Sequence, residues 1–200
     1  MLKGRIIKRL VFLVATVLIA TLSPHSASAR DLVIWDKLQG TNPKGYVLLM
    51  RHALAPGIGD PDNFLLGDCR TQRNLSDEGR ADAQDIGQWL ERREVKIYRI
   101  ETSRWCRAKE TAELLNIGPV KLNKNLDSLF LESNLSSNKQ TINIEKRIAK
   151  HRNKKGLLIL VGHSVNMSAL TGISLESGEG VLVRTDSQGA LKIMGFSPTP

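Results

Sequence analysis

Tyr46-Val47-Leu48-Leu49-Met50-Arg51-His52-Ala53 decides how the rest of the chain is read. Five apolar or aromatic residues end abruptly in Arg51-His52, and Pro56, Gly57 and Gly59 follow. A short apolar run bounded by turn formers reads as a buried strand of a parallel sheet. Open α/β sheets place their ligands at the carboxyl ends of such strands. The strand thus presents a cation and an imidazole where such folds do chemistry. Taken alone, the dipeptide is better read as a strand ending in polar residues at the surface. A second His at the end of a second strand, with a cationic site between them, shifts the reading towards function.

Upstream, Lys3, Arg5, Lys8 and Arg9 precede an apolar run from Leu10 to Leu22, and Ser26-Ala27-Ser28-Ala29 follows. That order is the basic region, hydrophobic region and Ala-x-Ala site of a secretory signal peptide. Residues 1–29 are therefore expected to be a signal, with residues 30–200 as one exported, periplasmic or cell-envelope domain. An uncleaved membrane anchor is the competing reading, because the run is near the lower length limit for a span. Four of the 29 basic residues lie in this segment, so the net charge of +9 falls to +5 once it is removed. That charge suits an anionic substrate and equally suits a merely soluble protein. Lys150, Arg152, Lys154 and Lys155 cluster around His151 without aromatic interleaving, which reads as a solvated helix end and not as a nucleic-acid site. Cys69 and Cys106 are the two cysteines. In an oxidising compartment they can form a single bridge, but spacing alone does not bring them together.

Downstream, residues 55–74 are rich in Pro, Gly, Asp and Asn without periodicity, a length of loop that is often functional. Ser76 reads as an N-cap, with Asp77 and Glu78 favouring the positive end of the helix dipole. Ala83, Ile86, Trp89 and Leu90 recur at helical spacing, predicting a helix over 77–93 with Trp89 in the core. A strand over 96–101 runs into Thr102-Ser103-Arg104-Trp105-Cys106, and a helix follows through Thr111, Ala112, Leu114 and Leu115 to Gly118-Pro119. Arg104 thus falls where a strand hands over to a helix N-terminus, a natural anion site. After a short strand at 120–122 and an irregular segment over 123–138, a helix is expected over 139–151. Leu157 to Val161 is the most apolar strand, and it stops at Gly162-His163-Ser164 before a small-residue helix. Two last runs, at 181–183 and 191–194, read as a hairpin at the sheet edge. The alternation predicts one α/β domain with a mostly parallel sheet.

Three strand ends carry Arg51-His52, Ser103-Arg104 and Gly162-His163. Gathered on one sheet edge, two imidazoles and two guanidiniums make a pocket for a tetrahedral dianion, since the Arg fork binds two oxygens at once. Neutral imidazole is a competent nucleophile. Crowded cations oppose a metal, and neither a metal nor a cofactor is expected.

In these residues the chain resembles the histidine phosphatase (phosphoglycerate mutase-like) superfamily. Leu49-Met50-Arg51-His52, Asn74 to Arg80, Ser103-Arg104 with Thr111-Ala112, and Val161-Gly162-His163 carry the resemblance, from about Tyr46 to Leu170. It looks most like the small exported bacterial members, through Asp68-Cys69-Arg70-Thr71-Gln72-Arg73-Asn74-Leu75 and Ser103-Arg104-Trp105-Cys106-Arg107. The resemblance implies a three-layer α/β/α sandwich. It makes His52 the nucleophile, with Arg51, Arg104 and His163 on the phosphoryl oxygens. Ser164 supplies a backbone donor, Arg73 and Asn74 add loop contacts, and water hydrolyses a phosphohistidine. The two cysteine-bearing runs flank the implied pocket, so a Cys69–Cys106 bridge clamping the loop to the site is expected. The proton donor departs from the family pattern: Asp127 is the first candidate and Glu132 the second. The implied partner is a small anionic phosphorylated substrate, with membrane contact only if the N-terminal segment is retained. The alternative is a non-catalytic phosphate or phospholipid binder of the envelope that keeps the pocket. Sequence sets neither the physiological substrate nor the oligomeric state.

Overall fold

One six-stranded sheet runs through the middle of the domain. In chain order its strands are β1 (Tyr46–Arg51), β2 (Ile97–Thr102), β3 (Val120–Leu122), β4 (Leu157–Gly162), β5 (Gly180–Thr185) and β6 (Leu191–Phe196). The computed structural model describes residues 29–197, so the segment read as a signal peptide lies, but for Ala29, outside the described residues. The spatial order is β3-β2-β4-β1-β5-β6. β3, β2, β4 and β1 are parallel, while β5 and β6 return antiparallel as the expected terminal hairpin.

Alternation along the strands sends successive side chains to opposite faces. On one face Leu48, Met50, Ile100, Ile159 and Val161 pack with Ile86 and Leu90 of α2 (Asp77–Arg92) and Ala108 and Ala112 of α3 (Cys106–Leu114). Trp35 of α1 (Ala29–Leu38) closes that side, donating Nε1–H to the Phe196 carbonyl at 2.7 Å. On the other face Val47, Leu49, Leu158 and Leu160 meet Ile144 and Ile148 of α4 (Lys139–His151) and Met167 of α5 (Ser164–Thr171). Helices cover both faces, the expected three-layer sandwich. β4 is buried along its whole length because both layers press on it, which is why its sequence is a continuous apolar run.

Two side chains sit differently from their sequence reading. Trp89 is half-buried, packed edge-on against Trp35 at 5.0 Å with the Arg93 guanidinium 4.1 Å above its ring. It flanks the core without entering it. His151 is fully buried inside the basic cluster, its Nε2 2.9 Å from the Gly156 carbonyl. The backbone turn over 151–156 recruits that ring, so the helix end is not wholly solvated.

Register sets the strand ends level. Arg51 pairs with Gly162 and Thr102 with Val161, so residues 52, 103 and 163 emerge side by side. Ser76 caps α2 by accepting from the Gly79 N–H at 3.1 Å. A Cβ at Gly79 would collide with the Leu54 carbonyl, so glycine there lets α2 lie directly on the chain leaving His52.

Candidate active site

His52 follows β1 and His163 follows β4, and pairing of those two strands holds the ring centroids 5.4 Å apart. Both rings are buried. His52 Nδ1 lies 2.7 Å from the Ala53 carbonyl, and the Arg107 Nε–H points at Nε2 from 3.2 Å. One nitrogen faces an acceptor and the other a donor. The ring is therefore neutral, protonated at Nδ1, with its lone pair on Nε2. Burial, reinforced by the Arg107, Arg51 and Arg73 charges, pushes the His52 pKa down to about 3 against the opposing Ala53 hydrogen bond. His163 is driven well below its ordinary value by burial first, then by His52 and the same arginines.

Arg107, in the first turn of α3, is the cation that sequence reading missed. The Thr111 hydroxyl donates to the Arg107 carbonyl at 2.7 Å and accepts the Ala53 N–H at 3.0 Å. This pins α3 to the residue after His52, and a side chain four residues before Thr111 shares its helix face. The spacing between Arg107 and Thr111, with Ala53 beside His52, is the signal that could have found it.

Arg104 was expected on the phosphoryl oxygens, and its side chain goes elsewhere. Its backbone N–H donates to Asp127 Oδ1 at 2.9 Å and its Nε–H to Oδ2 at 2.8 Å. The anion held at this helix start is thus the chain's own Asp127. That carboxylate is buried, satisfied by Arg104, and does not line the cavity. Asp127 instead reaches the site through a relay. Ser103 Oγ is 3.4 Å from Asp127 Oδ1 and 3.0 Å from His163 Nε2, which orients the second imidazole. Glu132 does line the cavity.

The cavity has a volume of about 800 Å3, with Arg51, His52, Arg73, Arg107, His163 and Ser164 in its wall. Arg51 donates from Nη1 to the Leu175 carbonyl at 2.9 Å, while its buried Nε–H has no hydrogen-bond partner. Arg73 is committed to loop carbonyls, those of Gly59 and Ala55. Asn74 lies outside the lining, its amide donating to the Cys69 carbonyl at 2.6 Å. Asp60, unnoticed in the aperiodic loop, carries the densest bonding here. Arg107 Nη1 donates to its Oδ1 at 2.6 Å and Nη2 to Oδ2 at 3.2 Å. The Trp105 indole N–H adds a bond at 2.9 Å and the Arg73 backbone N–H one at 3.2 Å. These donors hold the Asp60 carboxyl below its ordinary pKa although burial opposes them. An anion is therefore already seated on Arg107.

A disulfide joins Cys69 to Cys106, with Cα atoms 5.7 Å apart. Beside it, the Gln72 side-chain carbonyl accepts the Cys106 N–H at 2.9 Å. The loop is thereby fastened to the helix start that carries Arg107. Among the described residues, no group of three or more His, Cys, Asp or Glu could hold a metal ion.

Sheet order and covering helices give the phosphoglycerate mutase-like α/β fold, which the chain shares with several solved phosphatases. The protein histidine phosphatase SixA in complex with tungstate superposes with a TM-score of 0.55 at 16% identity, covering 76% of this chain and 96% of that one. The SixA-type putative phosphohistidine phosphatase of Agrobacterium tumefaciens gives 0.54 at 16% identity, over 78% and 98%. A putative alpha-ribazole-5'-P phosphatase from Escherichia coli gives 0.58 at 14%, over 76% and 95%. No family model and no curated protein matches the sequence.

Proposed function

We propose that this protein is an exported phosphatase that hydrolyses a phosphomonoester through a phosphohistidine on His52. The observation carrying this is the neutral His52 ring, its Nε2 lone pair meeting Arg107 in a cationic cavity. In the first step Nε2 forms a bond to phosphorus, and the bond to the leaving oxygen breaks. Arg51, Arg107 and His163 stabilise charge on the equatorial oxygens. Arg51 lines the cavity, and its buried Nε–H has no hydrogen-bond partner. Asp127 positions His163 through Ser103 and stays out of the proton transfer. Glu132, on the cavity wall, delivers the proton to the leaving oxygen. Water then attacks phosphorus, giving a proton back to Glu132, the N–P bond breaks, and inorganic phosphate leaves. The structural neighbours support this reading, since one holds tungstate and another, a phosphoserine phosphatase mutant from Entamoeba histolytica, holds phosphoserine. Export is proposed from the N-terminal segment's basic, apolar and Ala-x-Ala order.

The test is phosphate release from p-nitrophenyl phosphate by the wild type, abolished in His52→Ala, together with trapping of an acid-labile phosphoenzyme. Phosphate binding without turnover would instead favour the non-catalytic binder. Glu132→Gln is expected to slow alkyl phosphates far more than aryl ones. Equal losses on both would remove it from the role.

A further inference from the structure

The cavity is cationic at its floor and apolar at its mouth. Ile58 and Leu131 are 91% and 93% exposed, the two most exposed large apolar side chains among the described residues, and both line it. Phe130, 53% exposed, lines the same mouth. The two loops face each other closely: a Cβ on Gly59 would stand 3.9 Å from the Phe130 ring. Single exposed apolar residues are ordinary, but several gathered on the rim of one cavity mark a binding surface. Inorganic phosphate would leave most of a cavity of about 800 Å3 unfilled. Asp62, Ser128 and Glu132 share the lining, but a sugar or nucleoside phosphate would take no advantage of Ile58, Phe130 and Leu131 and would leave them in water.

We propose that the site takes a phosphate carried on an apolar aliphatic chain, a lipid phosphate. Its phosphate sits among Arg51, His52, Arg107 and His163, and its chain crosses Ile58, Phe130 and Leu131. The basic residues at the floor match the phosphate, and the three apolar side chains match its chain. The phosphate's fate rests on the phosphatase reading, whereas the preference for an apolar chain is a property of binding and is tested as binding.

Ethylphosphonate and octylphosphonate carry the same uncleavable headgroup, so calorimetric titration isolates the chain. Half-burial of each added methylene is worth about a twofold gain in affinity, hence about fiftyfold across the pair. The double variant Ile58→Ser/Leu131→Ser is expected to lower the octyl-to-ethyl ratio about tenfold. Both positions are exposed, and circular dichroism checks the fold. Equal affinity for the two phosphonates, or an unchanged ratio in the variant, overturns the proposal. A chain preference without turnover on p-nitrophenyl phosphate would sink the phosphatase reading and leave this one standing. Phosphatidylcholine vesicles with and without phosphatidic acid separate the sources. Retention on phosphatidic acid vesicles identifies a bilayer lipid, and binding of octylphosphonate alone identifies a dissolved amphiphile.

Discussion

Replacing Asp60 with Asn tests whether the chain keeps its own anion where a substrate must bind. The carboxylate accepts two N–H groups from Arg107, one from the Trp105 indole and one from the Arg73 backbone, and its side chain is 16% exposed. An oxyanion on His52 would lie across the same guanidinium from that charge. For an assumed separation of about 6 Å and an effective dielectric of about 20 the repulsion is about 3 kcal/mol per unit charge. Solvent and salt at the open mouth reduce it to about 1–2 kcal/mol. Asn keeps the shape and turns one acceptor into a donor, which frees Arg107 for the ligand. Asp60→Asn is therefore expected to bind inorganic phosphate and tungstate about tenfold or more tightly, read by calorimetric titration at fixed ionic strength. Unchanged or weaker binding would refute the reasoning. It would mean that Asp60 helps the seat by holding Arg107 in place and does not compete for it.

Arg107→Ala is expected to lower kcat/KM on p-nitrophenyl phosphate by about 10²–10³-fold, the usual cost of losing a charge-stabilising donor. Arg104→Ala should cost less than tenfold in rate but lower the melting temperature, because it strips the buried Asp127 of its ion-pair partner. Since the His52 pKa is about 3, kcat/KM should show no acid limb near 6.5 that belongs to the nucleophile. The same shift makes the fold acid-sensitive. Between about pH 6.5 and 3 the unfolded chain takes a proton that folded His52 refuses, so stability falls with pH at up to about 1.4 kcal/mol per unit. His163 adds in the same direction, and a urea midpoint that is flat from pH 7 to 5 would count against both. The disulfide spans a sequence separation of 37, for which chain entropy gives about 4 kcal/mol. Cys69→Ser/Cys106→Ser should lower unfolding stability by about 2–4 kcal/mol, and a change below about 0.5 would show that the denatured chain is constrained by other means.

The strands and the two imidazoles were legible because they rest on local signals: unbroken apolar runs that stop at a polar pair. α2 was legible from its Ser76 cap and one-sided apolar spacing. The arginines were harder. Sequence places Arg104 and Arg107 in one five-residue run, but only the tertiary tie from Thr111 to Ala53 tells which guanidinium meets His52. Arg104 turns to Asp127 because the intervening chain brings residue 127 beside the β2 end, a long-range contact with no periodic trace. Asp60 sits in a segment whose backbone has no repeat, so nothing local marks it off from the other loop carboxylates. The carboxylates at 127 and 132 rank first and second as proton donors in the sequence, and tertiary packing alone buries one and turns the other to the cavity.

The floor of the cavity and its walls are built from different material. The two histidines hang from paired strands, whereas Ile58, Asp60, Phe130 and Glu132 belong to segments outside any regular strand or long helix. Substitution of the exposed Ile58 or Phe130 leaves the core packing and the sheet hydrogen bonds untouched, although Leu126 and Leu129 nearby in the chain are buried. The two kinds of change are thus separable by inheritance. Descendants of this chain can change what meets Ile58 or Phe130 one residue at a time, while the paired histidines pass on unaltered.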